Sequence, residues 1–288
     1  MKIFHCCAIL AIFSFCSASA QSSVWRVSNG DQVLYLGGTC HILRKSDFPL
    51  PLEFEQTYVL ADSLTFEVDP KKLQDPSFAM RMMSAGVYQD GRTLKSVLSE
   101  EAYEALAAQC RESNIPIEVI HKTKPGLAVM MLALQELAKA GVTEQGVDVH
   151  FANRAHAEGK AVTSLETAEF QLDLITNLGE GIESEMVLYG LQDLDQVSEL
   201  IDEMILAWRS GDLDKLDRLF VEDMKAFPEI YELILKNRNV RWIPQIEAML
   251  ATQPTEFVLV GVGHMPGENG LIALLKAKGF SVEQVAAK

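Results

Sequence analysis

The sequence predicts an α/β fold in which a central mixed β-sheet is built from both ends of the chain, with flanking helices and a helical lobe. Three observations predict it. Apolar β-type runs stand at 24–28 and 33–37 near one end and at 256–260 and 281–285 near the other. Between them, apolar strands alternate with helical patterns, the rhythm that layers helices on a sheet. From Glu183 to Met249 the pattern is almost wholly helical.

Taken in order, the runs 24–28 and 33–37 flank Asn29-Gly30-Asp31, a tight hairpin signal in which glycine supplies the positive φ. A helix over 52–61 and a strand over 63–68 follow. Ser99 can cap a helix running to about Cys110, and Pro125 can begin another through Leu137 that Gly141 stops. The next helix covers 146–158 and ends at Gly159, and 161–165 reads as a buried strand. The helical stretch of about 183–250, broken near Gly211 and Pro228, reads as an insertion within a single domain over 21–288. A helix over 270–278 then joins the last two strands.

Composition narrows the function. The chain has 288 residues, with 25 Lys and Arg against 40 Asp and Glu, a formal charge of −15. Nucleic-acid affinity comes largely from basic side chains displacing counterions, so a nucleic-acid partner is not expected. The first twenty residues read as an export signal. Lys2 is a short basic start, 8–15 is nearly all apolar, and Ala18-Ser19-Ala20 offers the small residues of a cleavage site. The run is well short of the ~20 residues that span a bilayer, so no membrane span is expected. The mature chain should start near Gln21 and reside in the periplasm or outside the cell. Cys6, Cys7 and Cys16 leave with the signal, and Cys40 and Cys110 either pair or stay as buried thiols.

The chemistry rests on histidine. Val33-Leu34-Tyr35-Leu36-Gly37-Gly38-Thr39-Cys40-His41 and Phe257-Val258-Leu259-Val260-Gly261-Val262-Gly263-His264 are each an apolar strand running into glycine and then Gly-x-x-His. Strand ends in open α/β sheets are where ligands gather, and glycine lets a ligand approach the backbone. A third strand, Ser63-Leu64-Thr65-Phe66-Glu67-Val68-Asp69, ends in two carboxylates that alternation puts on one face. Two imidazoles and a carboxylate converging from strand ends form the set that holds a divalent metal with positions open for water and substrate. His41, Glu67 and His264 are the expected ligands and catalytic residues. Asp69 is expected to orient a ligating histidine from behind, and Glu166 to support the site or cap a helix. Arg238 is either a solvated helix end or a clamp on an oxyanion or substrate carboxylate.

Other arrangements fall away. His150 and His156 are not spaced for one helix face and read as surface residues. His156-Ala157-Glu158 lacks the downstream Pro-Cys-x-x-Cys of a zinc deaminase, and the chain holds no Gly-x-Ser-x-Gly elbow. Cys40 as a nucleophile is disfavoured because neighbours on an extended strand point to opposite faces.

These residues carry a resemblance. The chain resembles the TraB/GumN family, related to the Tiki metalloproteases and more distantly to erythromycin esterases and haem-binding ChaN-like proteins. The resemblance covers about 34–282 and rests chiefly on Leu36-Gly37-Gly38-Thr39-Cys40-His41, on Phe66-Glu67-Val68-Asp69 and on Gly261-Val262-Gly263-His264-Met265-Pro266-Gly267-Glu268-Asn269-Gly270. Leu165-Glu166-Thr167, Gln171, Trp208-Arg209-Ser210-Gly211-Asp212 and Arg238-Asn239 extend it. It implies an α/β fold with the paired Gly-x-x-His motifs and the strand-end Glu67 at the active site. It also implies Tiki-like hydrolysis of a peptide or protein by a water activated on a divalent metal, Mn, Co or Zn. Cys40 departs from the aliphatic residue common before the first histidine. The alternative is a protein of the same fold that binds haem or iron, or a partner, without turnover.

Overall fold

The computed structural model describes residues 21–192 and 194–287, and the export segment lies outside them. Among the described residues, eight strands are β1 (Gln21–Asn29), β2 (Gln32–Thr39), β3 (Leu43–Arg44), β4 (Ser63–Phe66), β5 (Val142–Thr143), β6 (Ala161–Ser164), β7 (Glu256–Gly261) and β8 (Ser281–Ala286). Six of them form one mixed sheet in the order β6-β4-β7-β2-β1-β8, while β3 and β5 pair separately. The strands β6, β4, β7 and β2 run parallel, and β1 pairs antiparallel with both β2 and β8, so β8 runs in the direction of the parallel four. Both chain ends therefore supply the sheet, as the sequence predicts. The hairpin between β1 and β2 turns at Gly30, with φ of 61°.

Helices cover both faces. Along β7, Phe257 and Leu259 point into one core with Phe54, Phe151 and Trp208. Val258 and Val260 point into the other, with Trp242, Ile246, Leu271 and Leu275. A strand buried on both faces has no polar side to show, which is why its sequence is a continuous apolar run. The first core is roofed by the helices Leu52–Leu60, Val147–Glu158 and Val197–Ser210, the second by Asn237–Leu250 and Leu271–Ala277.

A third core takes no residue from a strand. Leu94, Leu106, Leu132, Met186 and Val187 bring together the helices Leu94–Val97, Glu100–Glu112, Pro125–Lys139 and Glu183–Leu191. Helices of the 183–250 stretch thus distribute over all three cores. Ser99 caps its helix by accepting from Ala102 N at 3.2 Å, and Gly159 closes another in the left-handed region at φ 72°. The helices Pro70–Leu73 and Pro76–Ala85 have no counterpart in the sequence reading, although each starts on an Asp-Pro pair whose aspartate caps the first turn. Cys40 and Cys110 are both buried and free, which settles their alternative in favour of separate thiols.

Candidate active site

The four parallel strands deliver their next residues to one edge of the sheet. Reading across it, β6 is followed by Glu166, β4 by Glu67, β7 by the turn to His264, and β2 by His41. Backbone pairing persists past the strands, since Glu166 N donates to Glu67 O at 2.8 Å. The two histidine turns are held close by packing: a Cβ at Gly38 would lie 2.8 Å from a Val262 methyl. Trp208 Nε1 also donates to Gly38 O at 2.7 Å.

Each imidazole is gripped from behind. His41 Nδ1 donates to Asp148 Oδ2 at 2.9 Å, and Thr39 Oγ1 donates to the other oxygen of Asp148 at 2.8 Å. Asp148 sits in the first turn of the Val147–Glu158 helix, whose Val147 N donates to Cys40 O. That docking is close enough to require Gly146, where a Cβ would collide with the Cys40 and His41 carbonyls. His264 Nδ1 lies 2.6 Å from Asn239 Oδ1. Asn239 Nδ2 donates to the carbonyls of His264 and Asn269, so its Oδ1 is the acceptor and the Nδ1 proton of His264 is assigned. Both rings then turn Nε2 toward the same atom, Glu67 Oε1, each at 3.8 Å.

Arg238 is the electrostatic centre. Nε and Nη2 donate to Glu166, Nη2 also to Glu67, and Nη1 to His264 Nε2 at 3.1 Å and to Ile234 O at 3.1 Å. All five of its N–H groups are thereby committed, which makes it a positioning residue for two carboxylates and an imidazole. Trp242 Nε1 and Gln171 Nε2 complete the shell around Glu166, and Gln171 reaches Glu67 at 3.3 Å.

Burial works to raise the Glu67 pKa, but Arg238, His264 and His41 together hold it well below the ordinary carboxylate range. Burial pushes His264 down to about 3, whereas Asp148 pushes His41 up to about 9. The asymmetry follows the partner behind each ring, a carboxylate behind His41 and the neutral amide of Asn239 behind His264.

Asp69 stands apart from this group. The strand ends at Phe66, so the alternation expected to align Glu67 with Asp69 stops before either of them. Asp69 instead caps the Pro70–Leu73 helix through Lys71 N and meets His156 Nε2 at 3.1 Å, without reaching His41 or His264. His156 is accordingly a half-buried hydrogen-bond partner rather than a surface residue, while His150 lies 3.4 Å from Glu55. The residue that orients His41 is Asp148, which the sequence reading passes over. Its signal is a glycine closely followed by an acid at a helix start. Cys40 is buried, and burial, Asp148 and Asp47 push its thiol far up, away from nucleophilic use.

A model of the TraB/PrgY/gumN family matches residues 23–284. The chain belongs to the TraB/PrgY/gumN family. Within reach of this family match, it is 23% identical to a protein named YbaP of Escherichia coli K12 over 86% of this chain and 89% of that one. It is 24% identical to metalloprotease TIKI1 of Danio rerio, over 92% of this chain and 63% of that protein. To metalloprotease TIKI2 of Xenopus tropicalis it is also 24% identical, over 88% and 58%. No solved structure matches significantly.

Whether this family member's residues suit a metal can be tested on the geometry. Among the described residues, no group of three or more His, Cys, Asp and Glu side chains is closed up tightly enough to hold an ion. In a tetrahedral shell with bonds near 2.0–2.1 Å, neighbouring donors stand about 3.4 Å apart. The separations of 3.8 Å from Glu67 Oε1 to each imidazole exceed that modestly. Two features fit a metal. The Nε2 atoms converge while both Nδ1 atoms are held from outside, the arrangement that turns a histidine lone pair toward a cation, although His264 Nε2 must first give up the hydrogen bond it accepts from Arg238 Nη1 at 3.1 Å. A Cβ at Gly261 would lie 2.9 Å from His41 Nε2 and 3.2 Å from Glu67 Oε1, so glycine keeps the space between these donors open. Among the described residues no helix is long and apolar enough to cross a membrane.

Proposed function

We propose that the protein is an exported metal-dependent hydrolase that cleaves peptide bonds in peptide or protein substrates. The observation that carries this reading is the aim of His41 Nε2 and His264 Nε2 at one oxygen of Glu67 across a space that Gly261 leaves free. His41, His264 and Glu67 would hold a divalent cation, Mn, Co or Zn. Such a cation would supply Lewis acidity, polarising a substrate carbonyl and lowering the pKa of water.

The protein's own groups divide the remaining work. Asp148 and Asn239 fix the two rings and their tautomers. Arg238, braced by Glu166, holds Glu67 as a permanent carboxylate, which suits a ligand better than a proton acceptor, since an efficient general base titrates near the working pH. The cleft beside His41 and Glu67, about 440 Å³ and also lined by Gln74, Glu144 and Gln171, gives an extended substrate a path. Export is supported by the basic, apolar and small-residue order of the first twenty residues.

The test measures bound metal and cleavage of a peptide mixture on one purified sample. Stoichiometric divalent metal with cleavage that a chelator stops and added metal restores is the expected result. Cleavage that survives complete metal removal, or metal without any cleavage, would overturn the reading. A visible haem band would favour the binding alternative.

A further inference from the structure

We infer that the apolar cavity beside the candidate active site receives a large apolar side chain, Leu, Met or Phe, of the peptide residue next to the bond to be cut. The inference rests on the hydrolase reading above and names the substrate class that reading leaves open. The cavity, about 340 Å³, has His41, Glu67, Arg238 and His264 in its wall. Its volume falls within the range of ligand pockets, about 300–1,000 Å³. Apart from those four and Cys40, no residue lining it ionises. The rest of its wall is largely apolar, with Met204, Phe220, Met224, Ile234 and Leu235 prominent.

Three features mark this cavity as a pocket rather than a packing fault. Its wall is shared: His41, Glu67, Arg238 and Ile234 also line the more polar cleft, so the active-site groups form a partition between this apolar pocket and that cleft. A substrate chain lying in the cleft with one side chain turned through the partition would set its carbonyl against the histidines. Secondly, the apolar wall is built on two π-helical turns, Arg218–Glu222 carrying Phe220 and Glu232–Lys236 carrying Ile234 and Leu235. Such turns give up regular hydrogen bonding and are found frequently at functional sites. Lastly, Met204, Phe220, Met224 and Ile234 remain half-buried around the cavity, leaving apolar surface for a ligand to cover. Methionine adapts its shape to what it meets, which suits several large side chains better than one.

The experiment titrates the full-length mature protein, labelled with ¹³C at the methionine methyls, with hexapeptides Gly-Gly-X-Gly-Gly-Gly in which X is Gly, Ala, Leu, Met, Phe or Lys. The methyl signals are assigned by Met204→Leu and Met224→Leu. Peptides with X of Leu, Met or Phe should shift both signals at concentrations at least ~10-fold below those needed with Ala, the scale on which apolar pockets discriminate. Gly and Lys peptides should leave them in place. In Met224→Trp, the preference for large side chains read at the remaining Met204 signal should shrink toward the response given by the Ala peptide. Equal shifts with all six peptides, a response to Lys, or no response at Met204 and Met224 overturns the inference, and the wild-type comparison decides this even where Met224→Trp fails to fold. The peptides' own signals report cleavage in the same tube. Selective shifts without cleavage leave the pocket standing and remove the hydrolase reading, whereas cleavage without selectivity does the reverse.

Discussion

Asp148 and His41 are joined by a 2.9 Å hydrogen bond that links residues 107 positions apart, and Thr39 secures the far oxygen of the same carboxylate. Because Asp148 fixes the ring, Asp148→Asn should weaken divalent-metal binding by about 10- to 100-fold, the usual loss when a residue behind a ligand is changed. The pKa of His41 should fall from about 9 toward its ordinary value at the same time. Chelator competition and imidazole NMR check the two effects. Asp69→Ala, by contrast, removes a helix cap and should cost about 0.5–2 kcal/mol of stability while leaving metal affinity unchanged. Equal loss of metal in the two variants would return Asp69 to the site.

Gly261→Ala tests the space between the donors. The new Cβ would stand 2.9 Å from His41 Nε2 and 3.2 Å from Glu67 Oε1. The strand can keep its hydrogen bonds, so the variant should unfold cooperatively and yet lose most of its bound metal and activity. The exposed His41 ring is the part that can swing aside, and its NMR signals should move. Wild-type metal content in this variant would show that the space beside Gly261 plays no part.

Much of this site is legible in the sequence because strand ends are local features. A run of apolar residues into Gly-x-x-His announces both a strand and what stands at its end, and the paired motifs do lie on adjacent parallel strands. The partners of those histidines are less legible. Asp148 and Asn239 arrive on helices whose docking depends on tertiary packing, and the glycine before Asp148 marks a close approach of its helix without saying which histidine the carboxylate meets. Asp69 misleads for a related reason: alternation predicts its face only while the strand lasts, and Pro70 has already turned the chain into a helix. The commitment of every Arg238 donor is likewise visible only once Glu67, Glu166, His264 and Ile234 are brought around it.

The two histidines set a stability maximum. His264 has its pKa lowered to about 3 in the folded protein, against about 6.5 when unfolded. Below pH 6.5 the unfolded chain takes up a proton that the folded one does not. Stability should therefore fall toward acid by as much as about 1.4 kcal/mol per pH unit from this group alone. His41 acts with the opposite sign. Its raised pKa contributes stability that is fully present below pH 6.5 and lost as pH rises through about 9, an effect weakened by the exposure of its ring. Urea unfolding of the metal-free protein should show its highest midpoint near pH 6.5. In His264→Gln the acid limb between pH 6.5 and 5 should flatten, and an unchanged limb would assign it to other groups.

Glu67→Gln separates the two roles a carboxylate can play here. The substitution keeps the size of the side chain and an oxygen for the Gly261 N–H, which Glu67 Oε1 now accepts at 2.7 Å. It removes the charge that faces Arg238, but Glu166 still accepts from both Nε and Nη2 of that guanidinium, so the buried cation keeps a partner and the fold should survive. Metal affinity should drop, because an amide oxygen is a poorer ligand than a carboxylate. Turnover at limiting metal should fall by at least the ~10²- to 10⁴-fold associated with loss of an acid–base group. The decisive measurement is turnover at saturating metal. A carboxylate held far below the ordinary pKa range is a ligand rather than a base, so excess metal should restore a substantial part of the lost rate. Failure of any amount of metal to restore it would identify Glu67 as the proton acceptor in spite of its low pKa. Wild-type rate at limiting metal would show that Glu67 serves only to neutralise Arg238.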